Sequence, residues 1–176
     1  MNRHLLDRCL TYFLITTVIA TVGALFYTID HPVEEKFTEC GILGLERKAS
    51  GYPVEFVLQG NRVTQVGYED DGDYIRMVKE NYGKVIVQVN NHEQQDAEYH
   101  LEVRIEGTKT IMWLDSVEKD DSGQFLLKQG EKWEKQIGFA PSSPGEKKKV
   151  EFVLYKDGQS YFTEPPYLWV NVKLAP

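Results

Sequence analysis

Apolar and polar residues alternate along most of the chain, so that successive side chains would point to opposite faces of a strand. The clearest case is the stretch 98–105, where Tyr99, Leu101, Val103 and Ile105 share one face and charged or polar residues share the other. Such alternation is typical of a strand that buries one face in an antiparallel sheet. The pattern therefore predicts a domain built from half-buried strands.

Turn sequences divide this region into short segments. The Gly60-Asn61 dipeptide predicts a hairpin between its flanking strands, because both residues readily adopt positive φ angles. Residues 73–79 are the one stretch that favours a helical turn. We expect eight or nine strands among ten candidate segments: 37–45, 54–58, 63–68, 84–89, 98–105, 110–117, 124–127, 133–139, 150–155 and 167–174. With turns about every 8–12 residues, they predict an all-β, immunoglobulin-like antiparallel β-sandwich over residues 37–176.

An uncharged run of 21 residues precedes this domain, from Cys9 to Ile29. As a helix, the run is long enough to cross about 30 Å of hydrocarbon. Its five threonines can bond to carbonyls of the preceding turn, so they are compatible with a span. Tyr12 and Tyr27 lie near its two ends, where interfacial aromatic residues are common. The run predicts one transmembrane helix over residues 9–29.

The charges that flank this run predict its orientation. Two arginines precede it, and the first charged residues after it are acidic. The positive-inside rule then places residues 1–8 in the cytoplasm and, beyond a linker at 30–36, the β domain outside. The prediction is a single-pass protein of the cell membrane. A cleaved signal peptide is the alternative, but the run exceeds the usual length of about 7–15 residues and no A-x-A site follows.

Composition narrows the range of partners and of cysteine chemistry. The formal charge is -7, which argues against nucleic acid as a partner. Cys9 and Cys40 have no CxxC neighbour and would lie on opposite sides of a span of about 30 Å, so we do not expect them to pair. Cys40 is then either a packed strand residue or one half of an intermolecular disulfide.

An acidic cluster is the sharpest candidate for a metal site. Glu69, Asp70, Asp71 and Asp73 supply the carboxylate oxygens that calcium prefers. Their spacing differs from the EF-hand pattern, so a solvated loop is the favoured interpretation and calcium the alternative. No other cofactor is expected. The sequence has no G-x-S-x-G, H-E-x-x-H, P-loop or Rossmann glycine pattern, so we predict that the protein is not an enzyme.

Two aromatic residues are candidates for partner binding. Trp169 alternates away from Leu168, Val170 and Val172, and Tyr155 likewise opposes its apolar neighbours. Both side chains are therefore expected on the outer face of the domain, where exposed aromatic residues mark partner surfaces.

Several segments resemble the soluble part of an archaeal and bacterial membrane-protein family, domain of unknown function 1616. They are FTECGILG (37–44), GYPVEF (51–56), VIVQVNNHE (85–93), YHLEVRIEG (99–107), GEKWEKQIGFAPSSPGE (130–146), VEFVLYKDG (150–158) and LWVNV (168–172). The resemblance implies a surface-facing immunoglobulin-like fold and implies no reaction. Family members often carry several membrane helices before this domain, whereas this sequence predicts one.

These observations predict a non-catalytic structural or interaction subunit of a cell-envelope assembly. Its expected partners are the lipid bilayer and other membrane or envelope proteins, and pairing of two copies stays open. The alternative is a surface module that binds carbohydrate or another ligand through its aromatic residues.

Overall fold

The computed structural model describes residues 3–30, 35–70 and 74–176. The chain divides into two compact units, one that ends at Glu35 and one that begins at Lys36. The first unit contains helix α1 (Arg3–Asp30), and the second contains the strands.

Helix α1 covers the whole uncharged run and uses its threonines as expected. The hydroxyl of Thr17 donates to the Phe13 carbonyl at 2.8 Å, and that of Thr21 donates to the Thr17 carbonyl at 2.8 Å. Within the described residues, no helix combines the length and the apolar character that a membrane span requires. Residues 31–34, which belong to the predicted linker, lie outside the described residues.

The second unit is built from strands, and fourteen of them fall within its described residues. They are β1 (Phe37–Leu43), β2 (Pro53–Gln59), β3 (Arg62–Glu69), β4 (Ile75–Val78), β5 (Gly83–His92), β6 (Ala97–Ile105), β7 (Thr108–Thr110), β8 (Met112–Leu114), β9 (Val117–Lys119), β10 (Phe125–Leu127), β11 (Lys132–Phe139), β12 (Gly145–Lys156), β13 (Gln159–Ser160) and β14 (Tyr167–Leu174).

The strands form two open sheets. The first has the order β1-β5-β11-β8-β9 and the second β10-β6-β12-β14-β2-β3-β4, with β7 beside β6 and β13 beside β12. Among the described residues, every strand pair is antiparallel except β14 with β2. The chain is therefore mostly β, as the alternation predicts.

Phenylalanine side chains join the two sheets in a single core. The Phe139 ring, from the first sheet, lies 5.6 Å from Phe56 and 5.9 Å from Phe152, both of the second sheet. The inward positions predicted for β6 are confirmed, since Tyr99, Leu101 and Val103 are almost completely buried. Burial of each such side chain away from water stabilises the fold by about 1.5–3 kcal/mol.

The predicted hairpin at Gly60-Asn61 is confirmed, and two other predictions are wrong. Gln59 pairs with Arg62 across the β2–β3 turn, with Gly60 at φ +62°. The stretch that favoured a helical turn instead contains β4, because pairing with β3 supplies backbone hydrogen bonds that a single helical turn lacks. The candidate strand 110–117 is broken, because Asp115 and Ser116 adopt positive φ angles and turn the chain from β8 into β9.

Candidate functional site

Two aromatic side chains stand on the outer face of the second sheet, on strand β14. From Tyr167 to Lys173 buried and exposed residues of β14 alternate: Val170 and Val172 are buried in the core, whereas Tyr167 is 39% and Trp169 52% exposed. The centroids of the two exposed rings lie 5.7 Å apart, with the ring planes at 74°. The outward position predicted for Trp169 is confirmed, and the structure adds Tyr167 as its neighbour.

Charged side chains flank this aromatic pair. Strand β12 sets Lys149 directly opposite Trp169, and the Lys149 ammonium lies 4.6 Å from the centroid of the Tyr167 ring. Its Nζ atom is 2.8 Å from Oε1 of Glu151, and this hydrogen bond raises the pKa of Lys149 above its usual value. We call Tyr167, Trp169, Lys149 and Glu151 the aromatic surface. Its composition, rings with an ion-paired rim, is typical of protein interfaces.

Tyr155, the other aromatic candidate, does not belong to this surface. It lies on β12 six residues beyond Lys149, which corresponds to about 20 Å along a strand. Its ring stacks on His100, with the centroids 4.4 Å apart, and its hydroxyl accepts a hydrogen bond from Arg104. Tyr155 is half-buried and already committed to contacts within the sheet.

The contacts of Tyr155 extend into a charged network across β6, β7 and the loop after β9. Glu102 accepts hydrogen bonds from Lys109 at 3.0 Å and from Arg104 at 3.2 Å. Burial by itself raises the pKa of Glu102, but these two bonds outweigh it and hold the pKa below its usual value. Lys109 also reaches Asp121, at 3.1 Å. The network fixes the outer face of the sheet around Tyr155.

The acidic cluster lies at the turn between β3 and β4. The Asp70 amide donates to the Tyr74 carbonyl at 2.9 Å, and Asp70 Oδ2 lies 3.9 Å from Arg76 Nε. Asp71 and Asp73 lie outside the described residues, and Glu69 and Asp70 are both exposed. Within the part of the chain that the structure describes, no three carboxylate, histidine or cysteine side chains gather as a metal site. The calcium alternative stays a prediction.

A buried polar cluster lies near the start of the β domain, and the sequence analysis did not predict it. Glu93 Oε2 is 2.6 Å from Lys156 Nζ, and Glu93 Oε1 accepts from the Thr38 hydroxyl at 2.9 Å. The Thr38 hydroxyl also bonds the Tyr99 hydroxyl at 2.7 Å, and the Thr38 amide donates to the Tyr161 hydroxyl at 2.8 Å.

Hydrogen bonds rather than exposure keep Glu93 charged. Burial by itself raises the pKa of Glu93, but bonds from Lys156, Tyr161 and Thr38 together hold it below its usual value. One signal could have indicated the cluster: Tyr99 sits on the apolar face of β6, and a buried tyrosine hydroxyl needs a partner. Glu93 itself lies among polar turn residues and looked solvated.

Cys40 is a packed residue of β1. It is half-buried against the core and free of any disulfide. Burial raises the pKa of its thiol to about 12, so the thiol stays protonated at neutral pH and reacts slowly. These observations favour the packing role over an intermolecular disulfide.

The residues predicted to mark the membrane anchor all lie in α1. The Tyr12 side chain is 69% exposed. The side chains of Cys9, Tyr27 and Ile29 are outside the described part of the structure.

Comparison with protein families shows which family the chain belongs to. The model of the family described as domain of unknown function (DUF1616) matches residues 67–171, which is more than half of the chain. The chain belongs to this family. The segment shared with DUF1616 runs from β3 to β14 and contains the aromatic surface, Tyr155 and the Glu93–Lys156 pair.

Two solved structures are distantly similar to this DUF1616 protein. A FixG-related protein from Vibrio parahaemolyticus is 17% identical, with 54% of this chain and 82% of that chain covered and a TM-score of 0.40. The N-terminal domain of PorA is 14% identical, with 77% of this chain and 97% of that chain covered and a TM-score of 0.34. No protein of curated function matches the sequence.

Proposed function

We propose that this DUF1616 protein is a membrane-anchored, non-catalytic interaction subunit of a cell-envelope assembly. Its immunoglobulin-like β-sandwich lies outside the cytoplasm and binds another envelope protein through the aromatic surface. The observation that carries the proposal is the exposure of Trp169, at 52%, next to Tyr167 on a strand whose other face is core.

The position of the aromatic pair suits recognition of a protein. Strand β14 pairs with β12 at Tyr167 and Trp169 and with β2 from Asn171 onward, so the backbone that carries the two rings is held in the sheet. A ring held on such a strand loses little conformational freedom when a partner binds, and Trp and Tyr are enriched among residues that dominate binding energy. The ion pair between Lys149 and Glu151 supplies a polar rim.

The finer fold assignment is supported by the arrangement of the strands. Two predominantly antiparallel sheets share one core, and consecutive strands such as β5 and β6, or β11 and β12, belong to different sheets. Crossing between sheets in this way is characteristic of Greek-key sandwiches, of which the immunoglobulin fold is one.

The anchor is supported by the first unit of the chain. Large apolar side chains of α1 are exposed at successive positions and therefore on all sides of the helix: Tyr12, Phe13, Leu14, Ile15, Val18, Ile19, Val22 and Leu25. Although α1 falls short of the apolar character of a typical span, apolar side chains on every side of a helix favour surroundings of lipid or protein. The threonine hydroxyls bond within the helix, and the flanking charges favour a cytoplasmic N-terminus. Because the predicted linker is short, we expect the partner to be membrane-bound as well.

Site-specific photo-cross-linking in native membranes tests the interaction. A photoreactive amino acid replaces Trp169 in the full chain, and the matched control carries it at Leu126, which is 61% exposed on β10. We expect one protein adduct at position 169, absent at 126. Tyr167→Ala should weaken that adduct about tenfold or more, as for a residue that contributes about 2 kcal/mol.

The same experiment separates the alternatives. An adduct with a glycan at position 169 would favour the carbohydrate-binding alternative. Equal adducts at both positions, or none at 169, would contradict a specific role of the aromatic surface.

A further inference from the structure

In the described part of the chain, the edge strands of the two sheets differ in how well they are protected from pairing with a further strand. On β1 the Thr38 amide donates to the Tyr161 hydroxyl, and the Ile42 carbonyl accepts from the Tyr52 hydroxyl at 3.0 Å. Strands β9 and β10 are only three residues long. Strand β4 ends the second sheet and exposes large apolar residues at its edge. Natural sheets usually blunt such an edge.

The hydrogen-bonding phase of β4 follows from its pairing with β3. The Asp70 amide bonds the Tyr74 carbonyl, and Tyr68 pairs with Arg76 two residues further along each strand. In an antiparallel ladder the residues alternate between bonding the partner strand and pointing away. The amide and carbonyl groups of Ile75 and Met77 therefore point away from β3, where an added strand would bond them.

The side chains of the same two residues form a flat apolar shelf on the outer face. Ile75 is 38% and Met77 41% exposed, and both lie across Gly67 of β3. A Cβ at Gly67 would come within 2.5 Å of Ile75 Cγ2 and 2.8 Å of Met77 Sδ. Only glycine leaves room for this arrangement, so the shelf is fixed beside the open edge. We call Ile75, Arg76 and Met77 the β4 edge.

Charge decides what kind of strand fits the β4 edge. Two copies of the chain could also pair through β4 about a two-fold axis. If both Ile75 and Met77 bond the partner strand, the axis passes through Arg76 and sets the two Arg76 side chains directly opposite each other. Like charges in that position are destabilising. The Arg76 side chain is 65% exposed, and its Nε atom lies 3.9 Å from Oδ2 of Asp70. A carboxylate on an incoming strand would complement it.

We propose that the β4 edge accepts an extended segment of another protein as an added strand, with an acidic residue opposite Arg76 and apolar residues over the shelf. Main-chain bonds to Ile75 and Met77 supply affinity, and the shelf and Arg76 supply selectivity. The added strand would continue the outer face that carries Trp169, because Glu55 contacts both the shelf region at Gly67 and Lys173 of β14. This surface is separate from the aromatic surface, and its test does not depend on membrane anchoring.

Titration of the full chain in detergent micelles with short capped peptides tests this proposal. The probe has the sequence threonine-valine-glutamate-valine-threonine, and the matched control carries lysine in place of glutamate. We expect saturable shifts of the Ile75 and Met77 amide resonances with the glutamate peptide, and binding at least about threefold weaker with the lysine peptide. Arg76→Glu should invert this preference.

A pair of variants at one position isolates the backbone contribution. Met77→Pro removes an outward amide that an added strand would bond, so it should abolish binding. The domain should still fold, because proline is tolerated on an edge strand where the amide faces solvent. Met77→Ala keeps the amide and should retain most of the binding. If Met77→Pro fails to fold, the inversion by Arg76→Glu still decides. The proposal is overturned if the Ile75 and Met77 amide resonances do not shift, if the shifts fall on other residues, or if both peptides bind equally. Shifts that occur without peptide and grow with protein concentration would indicate pairing of two copies and would also overturn it.

Discussion

The Glu93–Lys156 ion pair holds together segments that are far apart in the chain. Glu93 follows β5, Lys156 ends β12, and Thr38 at the start of β1 bonds the same carboxylate. The side chains of Glu93 and Lys156 are only 9% and 16% exposed. Removal of one partner of such a pair leaves a buried charge without compensation, which costs far more than the pair itself contributes.

Lys156→Met should therefore lower the free energy of unfolding by about 3 kcal/mol, measured by urea denaturation at pH 7. The matched control is Lys173→Met, because the Lys173 side chain is 64% exposed in its pair with Glu55. That change should cost less than about 1 kcal/mol. Equal losses in the two variants would contradict a special role of the buried pair.

The same carboxylate predicts a pH dependence. The pKa of folded Glu93 is below its unfolded value, so its contribution to stability is complete above the unfolded pKa and is lost as pH falls through the folded pKa. Glu93→Gln should flatten the fall in melting temperature on acidification below about pH 4.5. If the melting temperature of Glu93→Gln falls on acidification as steeply as that of the unaltered protein, Glu93 is not held in its charged form.

At the scale of elements, β1 illustrates how an edge strand is closed. Two tyrosine hydroxyls bond its free side, one at the Thr38 amide and one at the Ile42 carbonyl. The strand bonds β5 along its whole length on the other side. Side chains thus replace the neighbour that an edge strand lacks.

Tyr161→Phe should loosen β1, because it leaves the Thr38 amide without its acceptor. We expect a loss of about 1–3 kcal/mol in unfolding free energy and faster hydrogen exchange at Thr38. The control is Tyr74→Phe, whose side chain is 66% exposed and whose change should stay within about 0.5 kcal/mol. Unaltered exchange at Thr38 in the Tyr161 variant would argue against the edge-closing role.

The same scale shows where sequence pattern succeeds. Strand β6 was predictable because Tyr99, Leu101 and Val103 repeat every second residue in a segment long enough to display the period. Strands β8 and β9 were not separated, because the turn between them depends on positive φ angles at Asp115 and Ser116, and neither residue is a glycine. Strand β4 is short, and it forms because β3 pairs with it.

For the candidate site, alternation gives the face of a residue but not its neighbours. It placed Trp169 outward correctly, since this needs only the parity of β14. Whether an outward residue is free depends on contacts between distant strands, and Tyr155 is engaged by Arg104 and His100 from β6. The buried Glu93 cluster depends on such contacts entirely, with Thr38 and Glu93 separated by 55 positions.

At the scale of the whole molecule, the proposal joins two units that differ in chemistry. The first carries an uncharged helical run, and the second is an acidic β domain with an aromatic surface and an open strand edge. Under the proposed function, a membrane anchor would raise the effective concentration of partners in the same membrane.

The most direct test of this account is labelling of intact cells with a membrane-impermeant maleimide. One variant carries its only cysteine at Leu126 and another at Asn2, both with Cys9 and Cys40 replaced by alanine. The account predicts labelling at 126 on intact cells and at 2 only after lysis, with the protein retained in the membrane pellet after an alkaline wash. Labelling of position 2 on intact cells, or release of the protein by the wash, would contradict it.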